Sequence, residues 1–541
     1  MLFQWGLQKK KQEIQGKEGK DQSGQAQDIP EEPIHSQLEM NIDIVRHTTG
    51  DSPDIVIRRF DVGHERTIRA AMIFVDGLVD EKNVCQFLLE PLMTATFPIS
   101  LLPADLFIWM EKKLAAVGGI RQISQWSELF TELMSGRTII LLDGIPLALC
   151  ASTKGGQYRQ IEEPQTQIAI RGSRDGFTES LRINTSLIRR RIQNPNLWME
   201  TMKIGKVTQT DVAIMYIKGI ANEEIVQEVK QRLNRINIDS ILESGYIEQL
   251  IEDQTYTTFP TVYHTERPDT VAANLLEGRV AIFMEGTPFV LVVPAVFIQF
   301  FQAVEDYYSR FDISTALRFL RVLIFFISLI APALYIAATT FHQEMIPTPL
   351  VIAIAAQREA VPFPAFVEAL VMEVTFEILR EAGVRLPRAV GHAVSIVGAL
   401  VIGQSAVEAG FVSSAMVIVV SITAVASFAT PAVAIAISAR LIRFLLMVLA
   451  AMFGFYGIIM GILVMTIHLC SLRSFGVPYM SPLAPSIPAN MGDTLFRVPT
   501  WAFKDRPHLI SQKNIERQGN NQKPQPPGSN SSNDSNRGET S

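Results

Sequence analysis

Cysteine is scarce in this chain. Three residues, Cys85, Cys150 and Cys470, are far apart and odd in number, which excludes a disulfide framework and a cysteine metal site. No glycine loop followed by Lys-Ser or Lys-Thr occurs, and no His-Glu-x-x-His or Cys-x-x-Cys. The eight histidines are scattered. Gly403-Gln-Ser-Ala-Val lacks the second glycine of a nucleophile elbow. No residue therefore stands out as catalytic, cofactor-binding or metal-ligating, and a non-enzymatic protein is expected. The net charge of −6 comes without a basic block, so nucleic acid is not an expected partner. The N-terminus shows no secretory pattern, since Lys9, Lys10 and Lys11 run into a polar stretch, and the first domain is expected to stay in the cytosol.

What the chain does have is asymmetry. Up to about Glu285 charges alternate with short apolar runs, whereas the region 319–472 contains long uncharged stretches. Four of these, about 322–341, 389–407, 410–437 and 444–470, meet the roughly 20 residues a helix needs to cross a bilayer. Helices are expected because lipid offers no partner to an exposed backbone amide. The polar residues 1–40 and the Asn-, Ser- and Gln-rich end of the 473–541 tail, from about 513, are expected to be disordered.

Between these extremes lies an internal repeat. The segment from Arg69 to Glu81, with Gly77 in a strand-turn-helix pattern, returns from Asp211 to Glu223 around Gly219. A second block holding Gly136, Arg137, Gly144 and Pro146 returns as Gly278, Arg279, Gly286 and Pro288. All of these pairs are 142 residues apart. Two similar α/β subdomains follow, about 55–155 and 205–293, joined by a connecting segment 156–204. Asp80-Glu81 and Asn222-Glu223 suit the positive end of the helix that follows each strand. The repeat also makes Phe289–Val293 a strand, so that Ala295–Val304 is too short to cross; 294–318 is expected to be an interfacial helix and linker.

Two sets of charged residues invite a role. Arg189, Arg190 and Arg191 sit in an apolar setting and suit either a contact with acidic residues of the neighbouring subdomain or a contact with a partner subunit. The segment 363–381 is an apolar helix that carries Glu368, Glu373 and Glu377. Glu373 and Glu377 share one face, with Arg380 close by, and Glu368 points elsewhere. Carboxylates on so apolar a helix need water, a cation or an arginine. In a ring of subunits they would form an acidic ring that favours cations; at a membrane surface they would pair with Arg380, Arg385 or Arg388. If this helix spans, Arg310/Arg318/Arg321, Arg380/Arg385/Arg388 and Arg440/Arg443 all fall on the cytosolic side, but the tail with Arg473, Arg497, Lys504 and Arg506 is exported. With four spans both ends stay inside.

Several stretches resemble the A subunit of bacterial spore germinant receptors. They are Arg171-Gly-Ser-Arg-Asp-Gly-Phe-Thr-Glu-Ser, Arg189-Arg-Arg-Ile, Ile346-Pro-Thr-Pro-Leu, Pro362-Phe-Pro, Glu377-Ile-Leu-Arg-Glu-Ala-Gly-Val-Arg-Leu-Pro and Ile402-Gly-Gln-Ser-Ala-Val. A spore-formation paralogue of that subunit shares most of them. The resemblance implies a membrane subunit of the spore inner membrane that works with a permease-like B subunit and a lipoprotein C subunit. It further implies a ring-shaped homo-oligomer that conducts monovalent cations. The fold class expected is an α/β cytosolic region of two similar subdomains followed by an α-helical transmembrane bundle. Glu373, Glu377 and Glu368 are then candidate ion-facing residues, and Arg189, Arg190 and Arg191 candidate subunit contacts.

Overall fold

A computed structural model describes residues 32–63, 68–96, 103–114, 119–155, 163–167, 169–385, 401–519 and 522–524. The expected lead-in up to 31, the first part of the 389–407 stretch and the tail from 525 lie outside them; residues 401–408 are helical.

Each α/β subdomain is a five-stranded antiparallel sheet. In the first, β1 (Ile55–Val62), β2 (Ile68–Val75), β3 (Arg121–Ile123), β4 (Thr138–Leu142) and β5 (Ala148–Ala151) take the order β1-β2-β4-β5-β3. In the second, β6 (Leu197–Ile204), β7 (Thr210–Ile217), β8 (Tyr263–Thr265), β9 (Val280–Met284) and β10 (Val290–Val293) take the order β6-β7-β9-β10-β8. Every strand of the second sheet begins 142 residues after its counterpart, from Ile55/Leu197 to Ala148/Val290. The central strands of both are wholly buried, because helices or loops cover both faces. Gly136 and Gly278 turn into these strands at φ 86° and 90°, a conformation that a side chain would strain.

The repeat reaches further back than the strand pattern alone indicates. Helix α1 (Leu38–Thr49) precedes β1, and helix α4 (Leu181–Arg191) precedes β6. Between them lie α2 (Pro103–Lys113) and α3 (Trp126–Met134) of the first subdomain. In α1 the Asn41 side chain both accepts from the His35 amide and donates to the His35 carbonyl; Asn184 of α4 does the same with Thr178. The Leu38 amide donates to Asp143, and the Leu181 amide donates to Glu285, its repeat partner. The Leu38 amide and the Arg69 guanidinium hold the Asp143 carboxyl below the usual range. Two sequence expectations are thereby revised. Residues 34–40 are packed and not part of a disordered lead-in, since Ile34 and Leu38 are buried. Much of the segment 156–204 belongs to the second subdomain.

Helices α5 (Glu223–Arg235), α6 (Ser244–Ile251) and α7 (Pro268–Leu276) complete the second subdomain. The chain then departs from the expected interfacial helix. Phe297–Phe301 is a short 3-10 turn with every residue buried. Phe297 packs its ring against Phe259, Phe325 and Tyr479, so this turn is a plug between the second sheet and the helices, not a lipid-lying element.

The helical part holds α8 (Phe311–Thr340), α9 (Thr348–Arg358), α10 (Ala365–Arg385), α11 (Ser414–Phe428) and α12 (Val433–Ser471). Among the described residues, α8 and α12 are long and apolar enough to cross a membrane. The stretch 410–437 is not one helix: α11 ends at Phe428, Pro431 follows, and a new helix starts at Val433. Nor is 444–470. Gly454 takes φ 59° and ψ −140°, and the chain reverses there. Gly457 lies against the Leu449 carbonyl and Gly461 against the Leu446 side chain, so 433–453 and 455–471 form an antiparallel hairpin. Ser438 near one end and His468 near the other bond to Thr258 and Thr257 of the second subdomain.

The tail consequently returns to the α/β side. Ser474 Oγ donates to the Thr261 carbonyl, Ser511 Oγ to the Ile220 carbonyl, and Arg506 to the Leu276 carbonyl. Order continues past 513, because the Arg517 amide donates to Lys504 and the Arg506 amide to Ile515.

A buried ion-pair network beside the domain junction

Helix α10 runs from Ala365 to Arg385, and its Arg380 lines a cavity together with Asp269 of the second subdomain. Its carboxylates divide by position. Near the start, Glu368 is fully buried, accepts from the Ser413 amide and has Arg358 at 3.7 Å. Five residues on, Glu373 is 2% exposed and faces Arg443 of α12 at 3.2 Å. Glu377 lies between three guanidinium groups: Arg440 at 2.9 Å, Arg380 at 3.5 Å and Arg443 at 3.6 Å. Arg380 also donates to Ser427 and lies 4.7 Å over the Phe428 ring.

The network thus counts three arginines to two carboxylates, all inside one chain. Its carboxylates are compensated by Arg380 of the same helix, one of the partners expected, and by Arg440 and Arg443 of α12, while Arg385 pairs with Glu381; Arg388 lies outside the described residues. Arg443 is 3% exposed. A buried charge of this kind is tolerable only while its partner is present, since desolvation costs several kcal/mol per ion. Glu368 does not join the other two, as its different helix face anticipates. One oxygen of Glu373 and the Arg443 Nε carry no hydrogen bond among the described residues.

Arg380 and Arg440 reach the wall of a cavity of about 770 Å³ between the second subdomain and the helices. Its opposite wall carries Arg267, Asp269, Glu277 and Tyr307. Burial pushes the Glu277 carboxyl up and the Tyr307 hydroxyl well up. Below the cavity a second network fixes α8 to the tail: Arg318 pairs with Asp306 at 3.2 Å and Asp493 at 2.8 Å, and Arg321 pairs with Asp306 at 2.8 Å. Tyr307 donates to the same Asp493.

Within the arginine triplet, Arg189 takes the plainer of the two readings. Arg189 is 1% exposed and makes a two-pronged bond with Asp54 of the first subdomain. Arg191 pairs with Asp175 and Ser173, and Arg190 is half-buried. Arg189 therefore joins subdomains within one chain and is closed to a partner subunit. Sequence reasoning missed the partners Asp54 and Asp493, for which no local pattern exists. Arg440 and Arg443 were visible only as a charge cluster.

The family model described as Bacillus/Clostridium GerA spore germination protein matches residues 43–509. The chain belongs to the GerA family. It is 60% identical over 493 residues to spore germination protein KA of Bacillus subtilis (strain 168), covering 91% of this chain and 90% of that protein. It is 45% identical over 489 residues to the uncharacterized membrane protein YfkQ of the same organism, covering 90% and 94%. The crystal structure of the N-terminal domain of the A subunit of the Bacillus megaterium spore germinant receptor GerK3 is 43% identical, with a TM-score of 0.41, and covers 50% of this chain and all of that one. As a GerA family member the chain is a germinant-receptor A-subunit relative in spore germination, and the ion-pair network is a feature of its helical part.

Proposed function

We propose that this chain is a membrane subunit of a spore germinant receptor and that several copies form a cation-conducting assembly held shut by the Glu373–Arg443 and Glu377–Arg440 pairs. The observation that carries this reading is the closed carboxylate pair inside a helical part whose outer faces are apolar. Phe319, Leu323, Ile418, Val425, Leu463 and Ile467 are all exposed, a distribution suited to lipid. Helices that begin and finish on the α/β side would leave both the subdomains and the tail in the cytosol. Conduction then requires Glu373 and Glu377 to part from their arginines and turn to a lumen shared between copies, where acids favour cations. A permease-like B subunit and a lipoprotein C subunit are the partners that would trigger this change.

The test is potassium flux in liposomes that hold the chain with both partner subunits. Replacing both acids, Glu373→Gln with Glu377→Gln, should abolish nutrient-triggered flux. Arg440→Gln should loosen the closed state and give flux without nutrient. A second reading, a scaffold that does not conduct, is favoured by the closure of Glu373 within one chain. Absence of flux from the unmodified complex, with nutrient binding intact, would decide for it.

A further inference from the structure

The two subdomains meet through a socket in the first that receives helix α4 of the second. Arg182 pairs with Asp76 and Glu81, Ser186 lies against Gly77, and Arg189 pairs with Asp54. Because the chain repeats, the second subdomain carries the same socket, and the first carries the helix that would fit it. Socket residues translate by 142: Asp54 to Asn196, Asp76 to Lys218, Gly77 to Gly219 and Glu81 to Glu223. Helix residues translate by 143, as Asn41 and Asn184 establish through their matching hydrogen bonds. Arg182 thus corresponds to Glu39, Ser186 to Asp43 and Arg189 to Arg46.

The translated face of α1 is uncovered: Glu39, Asp43 and Arg46 are all exposed. At one position its charge matches the translated socket. Arg182 facing Asp76 and Glu81 becomes Glu39 facing Lys218, with both signs reversed and the attraction kept, and facing Glu223, the like charge that Glu39 would replace on Lys218. Arg189 facing Asp54 becomes Arg46 facing Asn196. The Asn196 side chain is buried, and its Oδ1 has no hydrogen-bond partner among the described residues. A buried acceptor without a donor is unfavourable, and a guanidinium is the donor that its counterpart Asp54 receives. In the single chain Glu39 pairs instead with Arg59 at 2.8 Å and Lys218 with Glu223, both partly solvated contacts that exchange readily.

The geometry points to a head-to-tail contact between two copies of this chain, in which α1 of one docks into the socket formed by Asn196, Lys218 and Glu223 of the next. Such a contact is heterologous and propagates from copy to copy. It adds a surface to the multi-copy assembly proposed above and rests on that reading only in requiring more than one copy.

The experiment uses full-length chains in their membrane. Glu39→Cys and Lys218→Cys are placed on two differently tagged copies, with each single variant alone setting the background from Cys85 and Cys470. Oxidation should give a band carrying both tags, several-fold above either single variant. Arg182→Cys with Asp76→Cys in one chain is the control, closing the internal version of the same contact. Charge reversal supplies a second readout: Glu39→Lys and Lys218→Glu should each lower the multi-copy fraction at least threefold, and the two together in one chain should restore it. A multi-copy assembly that gives no two-tag band while the control pair closes overturns this surface alone. A chain that stays single overturns both this surface and the assembly.

Discussion

The two α/β subdomains have one topology and one spacing of strands, yet they do different work because their surroundings differ. In the first, β5 ends at Ala151 and the chain runs on through polar Ser152 and Thr153. In the second, the equivalent β10 runs directly into the buried Phe297–Phe301 turn and so into α8. The repeated arginines diverge in the same way. Arg137 pairs with Glu132 of its own subdomain at 3.0 Å, whereas Arg279 donates to the Pro294 carbonyl and to Gln299 of the plug. The first subdomain is a partner for α4, and the second is a mount for the helices and the tail. A repeated fold sets the frame, and the residues appended to each copy assign its role.

The sharpest way to break this comparison is at the buried pairs. Arg189→Ala leaves Asp54 buried without its partner and should cost about 3–5 kcal/mol. The expected outcome is separation of the subdomains, read as new protease sensitivity between 156 and 180. Glu373→Gln should destabilise the helical part by a similar or slightly smaller amount, because Glu377 remains 3.6 Å from Arg443. Adding Arg443→Gln should recover most of the loss, measured as the thermal midpoint in detergent. A double variant no better than the single would show that the pair is not the source of the effect.

Smaller changes sharpen the same contrast between the copies. A Cβ on Gly278 would meet the Ile220 carbonyl at 2.9 Å and the Ser511 side chain at 3.1 Å, at φ 90°. Gly278→Ala should therefore cost about 2 kcal/mol and loosen the tail, detected as faster amide exchange at 506–512. Gly286, at φ 93° with open space around it, should cost about 1 kcal/mol when changed to alanine and leave the tail in place. An equal response at the two positions would remove the distinction between backbone strain and tail contact.

The weakest expected effect is a pH dependence at the joint between the second subdomain and the end of α12. Burial, with Glu248 adding to it, pushes the Glu252 carboxyl up to about 7. The folded state then holds a proton that the unfolded state has released. Stability is highest below the ordinary glutamate range near 4.5 and falls as pH rises from there through about 7. Glu252→Gln should flatten that slope and raise stability at pH 8 by on the order of 1 kcal/mol, since partial solvation weakens the effect. Denaturation midpoints at pH 5 and pH 8 measure it.

Legibility in the sequence followed range. The strand pairs and their turn glycines were readable because alternation and a fixed offset are local properties that survive side-chain change. The start of the repeat at α1 was not, because a one-residue shift between helix and strand hides it and only the hydrogen bonds of Asn41 and Asn184 reveal the match. Glu373 and Glu377 were recognisable as carboxylates in need of compensation. Of their arginines only Arg380, three residues after Glu377 on the same helix, was readable; Arg440 and Arg443 were not, because any of several clusters lay within helical reach.

By itself the sequence determined that the chain has a duplicated α/β part and an apolar helical part, since periodicity and hydropathy depend on neighbours a few residues away. Tertiary structure alone decided that α12 reverses at Gly454, that the tail comes back to the second subdomain, and that Arg443 rather than Arg380 closes over Glu373. The physical reason is that a helix presents charges all round its axis, and which of them meet is set by how helices far apart in the chain pack together.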